Sequence, residues 1–291
     1  MQARGNLVPW GGALLAALAL AACGDERAAD SHGAEGGGAG GGGGSGASAG
    51  RVLWVGAHPD DELYAAPWLG DQCVERGAQC TFLVATRGEA GNCKLPAGCS
   101  PDLATLRDAE LAASAALFGA TLFHWDLGDG TAGDPADVVQ RWVDAAGGPE
   151  ELLADMVAIF EQADRIVTFD PRHGDSCHPD HRAAGALVLA VVAEMGASAP
   201  PVTLVTSRGI IAPAAPDDPA VQAFDASQLL PSVGADAWSF LLRVLETHAS
   251  QFTPEERAQV EAVPPEMRRT FLLDAADAIP DDPRYAALCQ Q

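Results

Sequence analysis

Two short clusters of imidazole and carboxylate side chains mark where this chain can do chemistry. The first reads AHPDDE at residues 57–62, and the second reads CHPDH at residues 177–181. A catalytic zinc site takes three ligands of these types and leaves one position open for water. His58, Asp61 and His181 are therefore the candidate metal ligands.

The clusters also contain groups that remain free for proton transfer. Asp60 can take a proton from water, and His178 can stabilise an oxyanion or protonate a leaving nitrogen. Asp180 can accept a proton from an imidazole and fix its tautomer. A single such residue would be read more simply as a loop histidine or a capping aspartate. Their occurrence together in two clusters favours a metal centre, which iron or cobalt can occupy as well as zinc.

Buried strands and helices alternate along the region that carries these clusters. The predicted strands are 52–56, 80–86, 121–125, 165–169 and 202–206. The predicted helices are 62–77, 101–118 with Ser100 as N-cap, 149–163 and 179–195. This order predicts a Rossmann-like, three-layer α/β fold: a mainly parallel sheet with helices on both faces.

The predicted fold brings the two clusters together. They follow the first and fourth strands, and ligands of such sheets bind beyond the carboxyl ends of the strands. Pro179 at the first helical position places His178 near the N-cap and His181 in the first turn. The two imidazoles can then face one cavity.

The N-terminal residues have the pattern of an export signal. Arg4 precedes an apolar run at 12–22, and Leu20-Ala21-Ala22-Cys23 resembles the bacterial lipobox. We expect a signal peptide at 1–22 and a lipidated Cys23 on a bacterial membrane. Because Gly24 and not aspartate follows the cysteine, the outer membrane is favoured, facing the periplasm or the cell surface. The alternative is an ordinary cleavable signal with a chance cysteine.

The remaining chain divides by pattern. Residues 23–50 are rich in glycine and are expected to form a flexible tether. Residues 51–207 carry the alternating pattern of the catalytic domain. Residues 208–291 are expected to complete the same domain as an irregular or helical extension, with helices near 236–250 and 254–262. Thr253 and Glu256 form a capping box at the start of the second of these helices.

Charge and cysteine content limit the partners and the compartment. The net charge of −23 disfavours nucleic acid as a partner, and only a lipid anchor would link the chain to a membrane. Six cysteines besides Cys23 indicate disulfides in an exported protein. Cys93 with Cys99 is the first expected pair, and a zinc knot is disfavoured because C-x-x-C spacing is missing. The sequence predicts no oligomeric state.

Taken together, the two clusters resemble the motifs of the LmbE-like, or PIG-L, N-acetylglucosaminyl deacetylases. The resemblance covers about residues 51–207. It implies one zinc ion on the same three ligands, the first aspartate of AHPDDE as general base, and the first histidine of HPDH as the group that stabilises the tetrahedral intermediate. These roles agree with those reached from the residues alone.

Weaker features add to this resemblance. It implies that Arg107 and Asp129 grip sugar hydroxyls, although Arg107 with Glu110 can also be an i,i+3 ion pair on a helix. Residues 248–251, HASQ, resemble the family's H/Y-x-S-Q element, for which a structural helix end is the simpler interpretation.

The expected activity is hydrolysis of an N-acyl amide, such as N-acetyl, on a small or oligosaccharide amino sugar. The loop 91–100 and the insert 172–177 border the predicted site and differ from intracellular thiol-pathway members, so we expect a different acceptor pocket. Two alternatives stay open: a non-catalytic glycan- or metal-binding lipoprotein, and an amidase of a non-sugar amide. A nucleotide-binding fold is disfavoured because no G-x-G-x-x-G follows the first strand.

Overall fold

The structure is a computed structural model that describes residues 50–130, 133–209, 212–286 and 288–289. The strands are Arg51–Gly56 (β1), Gln79–Val84 (β2), Thr121–His124 (β3), Arg165–Phe169 (β4), Val202–Val205 (β5), Gln222–Asp225 (β6), Leu229–Leu230 (β7), Ala235–Asp236 (β8) and Arg269–Asp274 (β9). The helices are Ala66–Leu69 (α1), Leu103–Phe118 (α2), Pro135–Ala145 (α3), Pro149–Phe160 (α4), Gly174–Cys177 (α5), Pro179–Met195 (α6), Ala237–Thr247 (α7), Pro254–Glu261 (α8) and Pro283–Ala286 (α9).

Seven strands form one sheet in the order β3-β2-β1-β4-β5-β9-β6. The first five are mutually parallel, while β9 pairs antiparallel with both β5 and β6. The strands β7 and β8 form a separate pair. The predicted mainly parallel sheet is confirmed, and residues after 207 supply its last two strands.

Helices cover both faces of the sheet, as predicted. Side chains of β1 alternate between two cores: Val52 and Trp54 pack with α1, α2 and α7, whereas Leu53 and Val55 pack with α3, α4 and α6. A strand buried on both faces reads as a continuous apolar run, which explains the VLWVG sequence.

Two predicted helices differ from those observed. In place of the single helix predicted at 62–77, the chain forms a 3₁₀ turn at Asp61–Tyr64, then α1, then a π-helical stretch at Gly70–Glu75. Because Pro67 cannot donate a backbone hydrogen bond, a new helix starts around it. The helix predicted from Pro101 begins at Leu103. Asp102, not Ser100, is its N-cap, since its carboxylate accepts the Thr105 N–H at 2.8 Å.

Helix α3, the short helices α5 and α9, and the strands β6 to β9 were not predicted. Helix α3 follows a capping box between Asp134 and Asp137, a signal that the sequence did contain. Strands β6 and β9 lie in the region that was expected to be helical or irregular. Helices α7 and α8 lie where helices were predicted, and the capping box of Thr253 and Glu256 is present.

Three disulfides join the described cysteines: Cys73–Cys80, Cys93–Cys99 and Cys177–Cys289. The predicted Cys93–Cys99 pair is confirmed. The predicted signal peptide and Cys23 lie outside the described residues. Within the part of the chain that the structure describes, none of the helices has the length and apolarity needed to span a bilayer.

Candidate active site

A cavity of about 280 Å³ lies where the two clusters meet. Seven of the eight residues that the sequence singled out for the site line it: His58, Asp60, Asp61, Arg107, Asp129, His178 and His181. The eighth, Asp180, is fully buried and contacts the ring of His58. The chain thus brings the whole predicted set together.

Asp61 has one carboxylate oxygen committed to the backbone and one directed toward imidazoles. Its Oδ2 accepts the N–H groups of Ala57 and His58 at 2.6 and 2.8 Å. Its Oδ1 lies 3.0 Å from Nε2 of His181 and 3.6 Å from Nδ1 of His58. Burial opposes ionisation, but the two imidazoles hold the pKa of Asp61 well below its usual range. The side chain of Asp61 is therefore an ionised carboxylate in a fixed position, and its role as a metal ligand stays a prediction.

The ring of His181 is oriented by the chain around it. Its Nδ1 lies 3.0 Å from the carbonyl oxygen of Gly174, and the ring stacks on Phe169 with centroids 4.2 Å apart. Donation of Nδ1–H to a carbonyl leaves the Nε2 lone pair facing Asp61. A histidine that ligates a metal typically has this kind of outer partner.

His58 has the same arrangement with carboxylates as outer partners. Its Nε2 lies 3.3 Å from Asp180 and 3.4 Å from Asp129, so the neutral ring carries its proton on Nε2 and directs its Nδ1 lone pair toward Asp61. Burial lowers the pKa of His58, but Asp61 and the other two carboxylates outweigh it and raise the pKa well above its usual value. Such a concentration of buried negative charge favours a bound cation.

His178 differs from these two histidines in its tautomer. As the N-cap of α6, its Nδ1 accepts the N–H of Asp180 at 3.3 Å. The proton of the neutral ring is then on Nε2. Burial and the neighbouring imidazoles lower the pKa of His178 to about 4, so the ring is neutral near pH 7. The group it offers is an N–H donor, not a ligand lone pair.

This difference decides between two possible ligand sets. The ring nitrogens of His58, His178 and His181 lie within 4.8 Å of one another, and on distance alone a three-histidine site is possible. The proton on Nε2 of His178 argues against it. Two imidazole lone pairs with outer acceptors and one ionised carboxylate oxygen instead fit a catalytic zinc site with an open position.

A second set, His58 with Asp129 and Asp180, also groups metal-capable atoms. It uses Nε2 of His58, which must carry the proton if Nδ1 is a ligand. We therefore regard these carboxylates as the outer partners of His58. Asp180 contacts Nε2 of His58 through Oδ2, and its Oδ1 has no hydrogen bond among the described residues. Oδ1 of Asp129 lies 3.4 Å from the same nitrogen and has no other partner there.

Asp60 sits in an unusual backbone conformation, with φ of 105° and ψ of −11°. Its Oδ1 accepts a hydrogen bond from the guanidinium of Arg107 at 2.7 Å. Burial raises the pKa of Asp60, and Arg107 partly offsets this effect. A carboxylate with a raised pKa is a better general base near neutral pH. Non-glycine residues at positive φ cluster at functional sites.

Arg107, predicted to grip the substrate, is only 4% exposed and uses most of its donors within the protein. It binds the carbonyl oxygens of Pro59 and of Gly88, the latter at 3.0 Å. A Cβ on Gly88 would lie 2.2 Å from the guanidinium, so only glycine fits beside it. Arg107 thus positions Asp60 in this structure, and contact with a substrate stays a prediction.

The alternative ion pair between Arg107 and Glu110 is not formed. Glu110 instead accepts the N–H and the hydroxyl of Ser250 at 2.8 and 2.6 Å. Asp129, the other predicted substrate contact, accepts the N–H of Ala90 at 2.9 Å through Oδ2. Its role toward a sugar also stays a prediction.

Several residues of the cavity were not predicted. Residues that line it without having been singled out include Leu63, Tyr64, Ala90, Gly91, Ser176 and Phe252, together with Gln251 of the HASQ element. The cysteine-bearing loop and the insert at 172–177 do border the site, through Gly91 and Ser176. The sequence offered no signal for Tyr64 or Phe252 because single aromatics occur throughout cores.

The HASQ element is held in place by an ion pair between two buried side chains. His248 is fully buried, and its Nε2 lies 2.5 Å from Oε1 of Glu62 in the first motif. Although burial opposes both charges, the pairing raises the pKa of His248 and lowers that of Glu62. Ser114 donates a further hydrogen bond to Glu62 at 2.5 Å. This pair connects the end of α7 to the segment 57–62 that carries the first motif.

We expect His248→Ala to destabilise the protein by about 3–5 kcal/mol, because it leaves Glu62 as an uncompensated buried charge. Chemical denaturation monitored by circular dichroism measures the change. Glu246→Ala, at an exposed position on the same helix, is the matched control and should stay within about 0.5 kcal/mol of the parent. Equal stability of the two variants would contradict the charge-pair argument.

Comparison with known proteins identifies relatives of this chain. Residues 53–192 match the family model "PIG-L: GlcNAc-PI de-N-acetylase". A 1D-myo-inositol 2-acetamido-2-deoxy-alpha-D-glucopyranoside deacetylase from Mycolicibacterium smegmatis is 33% identical over 146 residues, which is 45% of this chain and 49% of the relative. The chain thus spans about half the length of the curated relatives it matches.

Solved structures share the fold at low sequence identity. The N,N'-diacetylchitobiose deacetylase of Pyrococcus horikoshii aligns with a TM-score of 0.51 and 20% identity, covering 72% of this chain and 74% of that one. A 4-carboxy-2-hydroxymuconate hydratase from Pseudomonas putida aligns with a TM-score of 0.53 and 17% identity, covering 77% and 96%. At these identities the likeness concerns the fold alone.

Proposed function

Because residues 53–192 match the PIG-L family model, we propose that the protein is a metal-dependent hydrolase that removes the acyl group from an N-acylated amino sugar. The observation that carries the proposal is that one cavity contains separate groups for metal binding, hydrogen-bond donation and proton transfer. Two histidines present lone pairs with an ionised aspartate, a third histidine presents an N–H, and a separate carboxylate is free to take a proton.

His58, Asp61 and His181 are the residues that would hold zinc. The site fits this ion because the donor atoms are two imidazole nitrogens and one carboxylate oxygen. When bound, zinc would polarise the acyl carbonyl and lower the pKa of water. The same donor set also accommodates iron or cobalt.

Asp60 begins the reaction by removing a proton from the attacking water. The water oxygen bonds to the carbonyl carbon, and the π electron pair of the C=O bond moves to the carbonyl oxygen. The product is a tetrahedral oxyanion. His178 donates its Nε2–H to this oxyanion, a contact that strengthens as charge develops. When the C–N bond breaks, the proton held by Asp60 passes to the leaving nitrogen, and the products are the free amine and a carboxylate.

The relatives and the cavity support the proposed substrate class. The names of the relatives describe deacetylation of N-acetyl amino sugars. A cavity of about 280 Å³ lined by Arg107, Asp129 and Gln251 offers hydrogen-bond partners for one sugar unit beside the acyl group. We propose a small molecule or an oligosaccharide as substrate.

We place this activity outside the cytoplasm. The export pattern at 1–22 and the lipobox-like cysteine at 23 support a lipid anchor on a bacterial membrane, with the outer membrane favoured. Three disulfides in the described region agree with an oxidising compartment. Radiolabelled palmitate incorporation that is lost in Cys23→Ala would support the anchor, and equal labelling of both would contradict it.

The activity is tested with the purified, zinc-loaded protein and a panel of N-acetylglucosamine, N,N'-diacetylchitobiose and glucosaminides with longer acyl chains. Release of a primary amine together with a carboxylate is the expected result. A zinc-bound protein that releases no amine from any panel member would overturn the amino-sugar proposal. In that case a non-sugar amide or a binding role would be the better explanation.

A further inference from the structure

The segment just before the second motif holds a strained backbone. In α5, Asp175 has φ of 65° and Cys177 has φ of 63°, and between them lies Ser176, which lines the cavity. For a residue with a Cβ, this left-handed region costs about 1–2 kcal/mol. Such conformations persist only where the surroundings over-determine them. His178 follows directly after the second strained residue.

Contacts at both ends of this segment supply that constraint. At its start, Nε2 of His173 lies 3.2 Å from the hydroxyl of Thr206. The carboxylate of Asp175 accepts the N–H of Gly209 at 2.5 Å. At its end, the constraint is the covalent bond between Cys177 and Cys289.

Cys289 belongs to a C-terminal strap, residues 282–286 and 288–289, which is itself anchored. Tyr285 is 2% exposed, its hydroxyl donates to Asp218 at 2.8 Å, and Arg172 covers its ring at 3.5 Å. The same ring stacks against His173 with centroids 5.8 Å apart. The strap therefore packs against the insert at 172–177, and its Cys289 is covalently bonded to Cys177, the residue before His178.

We propose that the C-terminal strap is a positioning element for His178, and that it acts through the Cys177–Cys289 bond. The proposal rests on the proposed function, since it assigns the strap to the donor that stabilises the oxyanion. His178 needs its Nδ1 on the N–H of Asp180 to keep its proton on Nε2. Rotation of the backbone at Cys177 would break that contact and turn the donor away.

The metal ligand on the same helix is held independently. The carbonyl of Gly174, which orients His181, belongs to a residue whose own N–H bonds to the Asp170 carbonyl at 2.7 Å. The ring also stacks on Phe169. Loss of the bond at Cys177 should thus move the donor histidine and leave the metal ligands in place.

The experiment compares the parent with Cys177→Ser/Cys289→Ser, in the full-length, zinc-loaded protein. The expected result is a fall in kcat of about 10–100-fold, the size of a lost oxyanion donor or less, with KM and zinc content unchanged. Cys73→Ser/Cys80→Ser removes a disulfide away from the cavity and should change kcat by less than about twofold, as expected for a site independent of the donor.

A double-mutant cycle separates positioning from general damage. If the strap acts through His178, breaking the bond in the His178→Ala protein should not lower kcat further, because the contact is already lost. Additive losses, a rise in KM alone, or loss of zinc in parallel would each overturn the proposal. Tyr285→Phe keeps the disulfide and the ring but loses the bond to Asp218; it should show the same kcat-selective fall at a smaller size.

A measurement that needs no substrate tests the positioning role of the strap separately from the proposed function. Amide hydrogen exchange should be faster for residues 176–178 in Cys177→Ser/Cys289→Ser, and unchanged at Gly174 and for residues 182–195 of α6. Unchanged exchange at 176–178 would overturn the positioning role of the strap even if the protein is a deacetylase. A parent protein that releases no amine would overturn the function, while the exchange result would still decide the positioning role.

Discussion

Asp60→Asn should lower kcat by about 10²–10⁴-fold, the range for loss of a general base. Asparagine has nearly the same shape and tolerates positive φ, so it can occupy the backbone conformation at 105°. It still accepts a hydrogen bond from Arg107, but it cannot take a proton from water. The measurement is kcat on the best substrate of the panel, with bound zinc determined by elemental analysis.

The control for this variant is Asp164→Asn. Asp164 is exposed and pairs with Arg51 at the start of β1, at the opposite end of the strand from the cavity. The activity of Asp164→Asn should stay within about twofold of that of the parent, because surface substitutions usually have small effects. Full activity of Asp60→Asn with zinc bound would remove the general-base assignment and leave the metal site intact.

His181→Ala should abolish both zinc binding and activity, because it removes one of the three proposed ligands. We expect a loss of zinc affinity larger than the about 10–100-fold that follows loss of an outer partner. Asp180→Asn tests that smaller effect, since Asp180 contacts His58 and is not itself a ligand. Titration calorimetry of chelator-stripped protein with zinc measures both affinities.

Two further histidines provide matched controls. His124→Ala removes an imidazole at the end of β3 that contacts the carbonyl of Thr86, and zinc affinity should not change. His178→Ala should keep zinc and lose kcat, because its cavity-facing nitrogen carries a proton. If His178→Ala loses zinc as completely as His181→Ala, then the three-histidine site is the correct ligand set.

Local sequence signals predicted the parts of the site that depend on neighbours in the chain. Pro179 marks the start of α6, which placed His178 at its N-cap and His181 in its first turn, as observed. The alternation of apolar strands with helices placed both clusters at carboxyl ends of β1 and β4. Because parallel strands end at one edge of a sheet, proximity of the clusters followed from topology.

Interactions between distant segments were not predictable in this way. Nothing local to Arg107 indicates that its partner is Asp60, or that Glu62 pairs with His248 from the end of α7. The insertion of β9 between β5 and β6 likewise depends on pairing over a long sequence separation. Residues of the same type can satisfy such contacts in many arrangements, so only the folded chain decides among them.

The placement of β9 has a consequence for where the chain can be cut. The match to the family model ends at residue 192, whereas the sheet continues to residue 274. A fragment that stops at 207 would leave Thr203, Leu204 and Val205 of β5 as an unpaired, apolar edge strand, since these residues pair with β9. Exposed edges of this kind recruit strands from other molecules and aggregate. The smallest soluble unit therefore extends well beyond the family boundary.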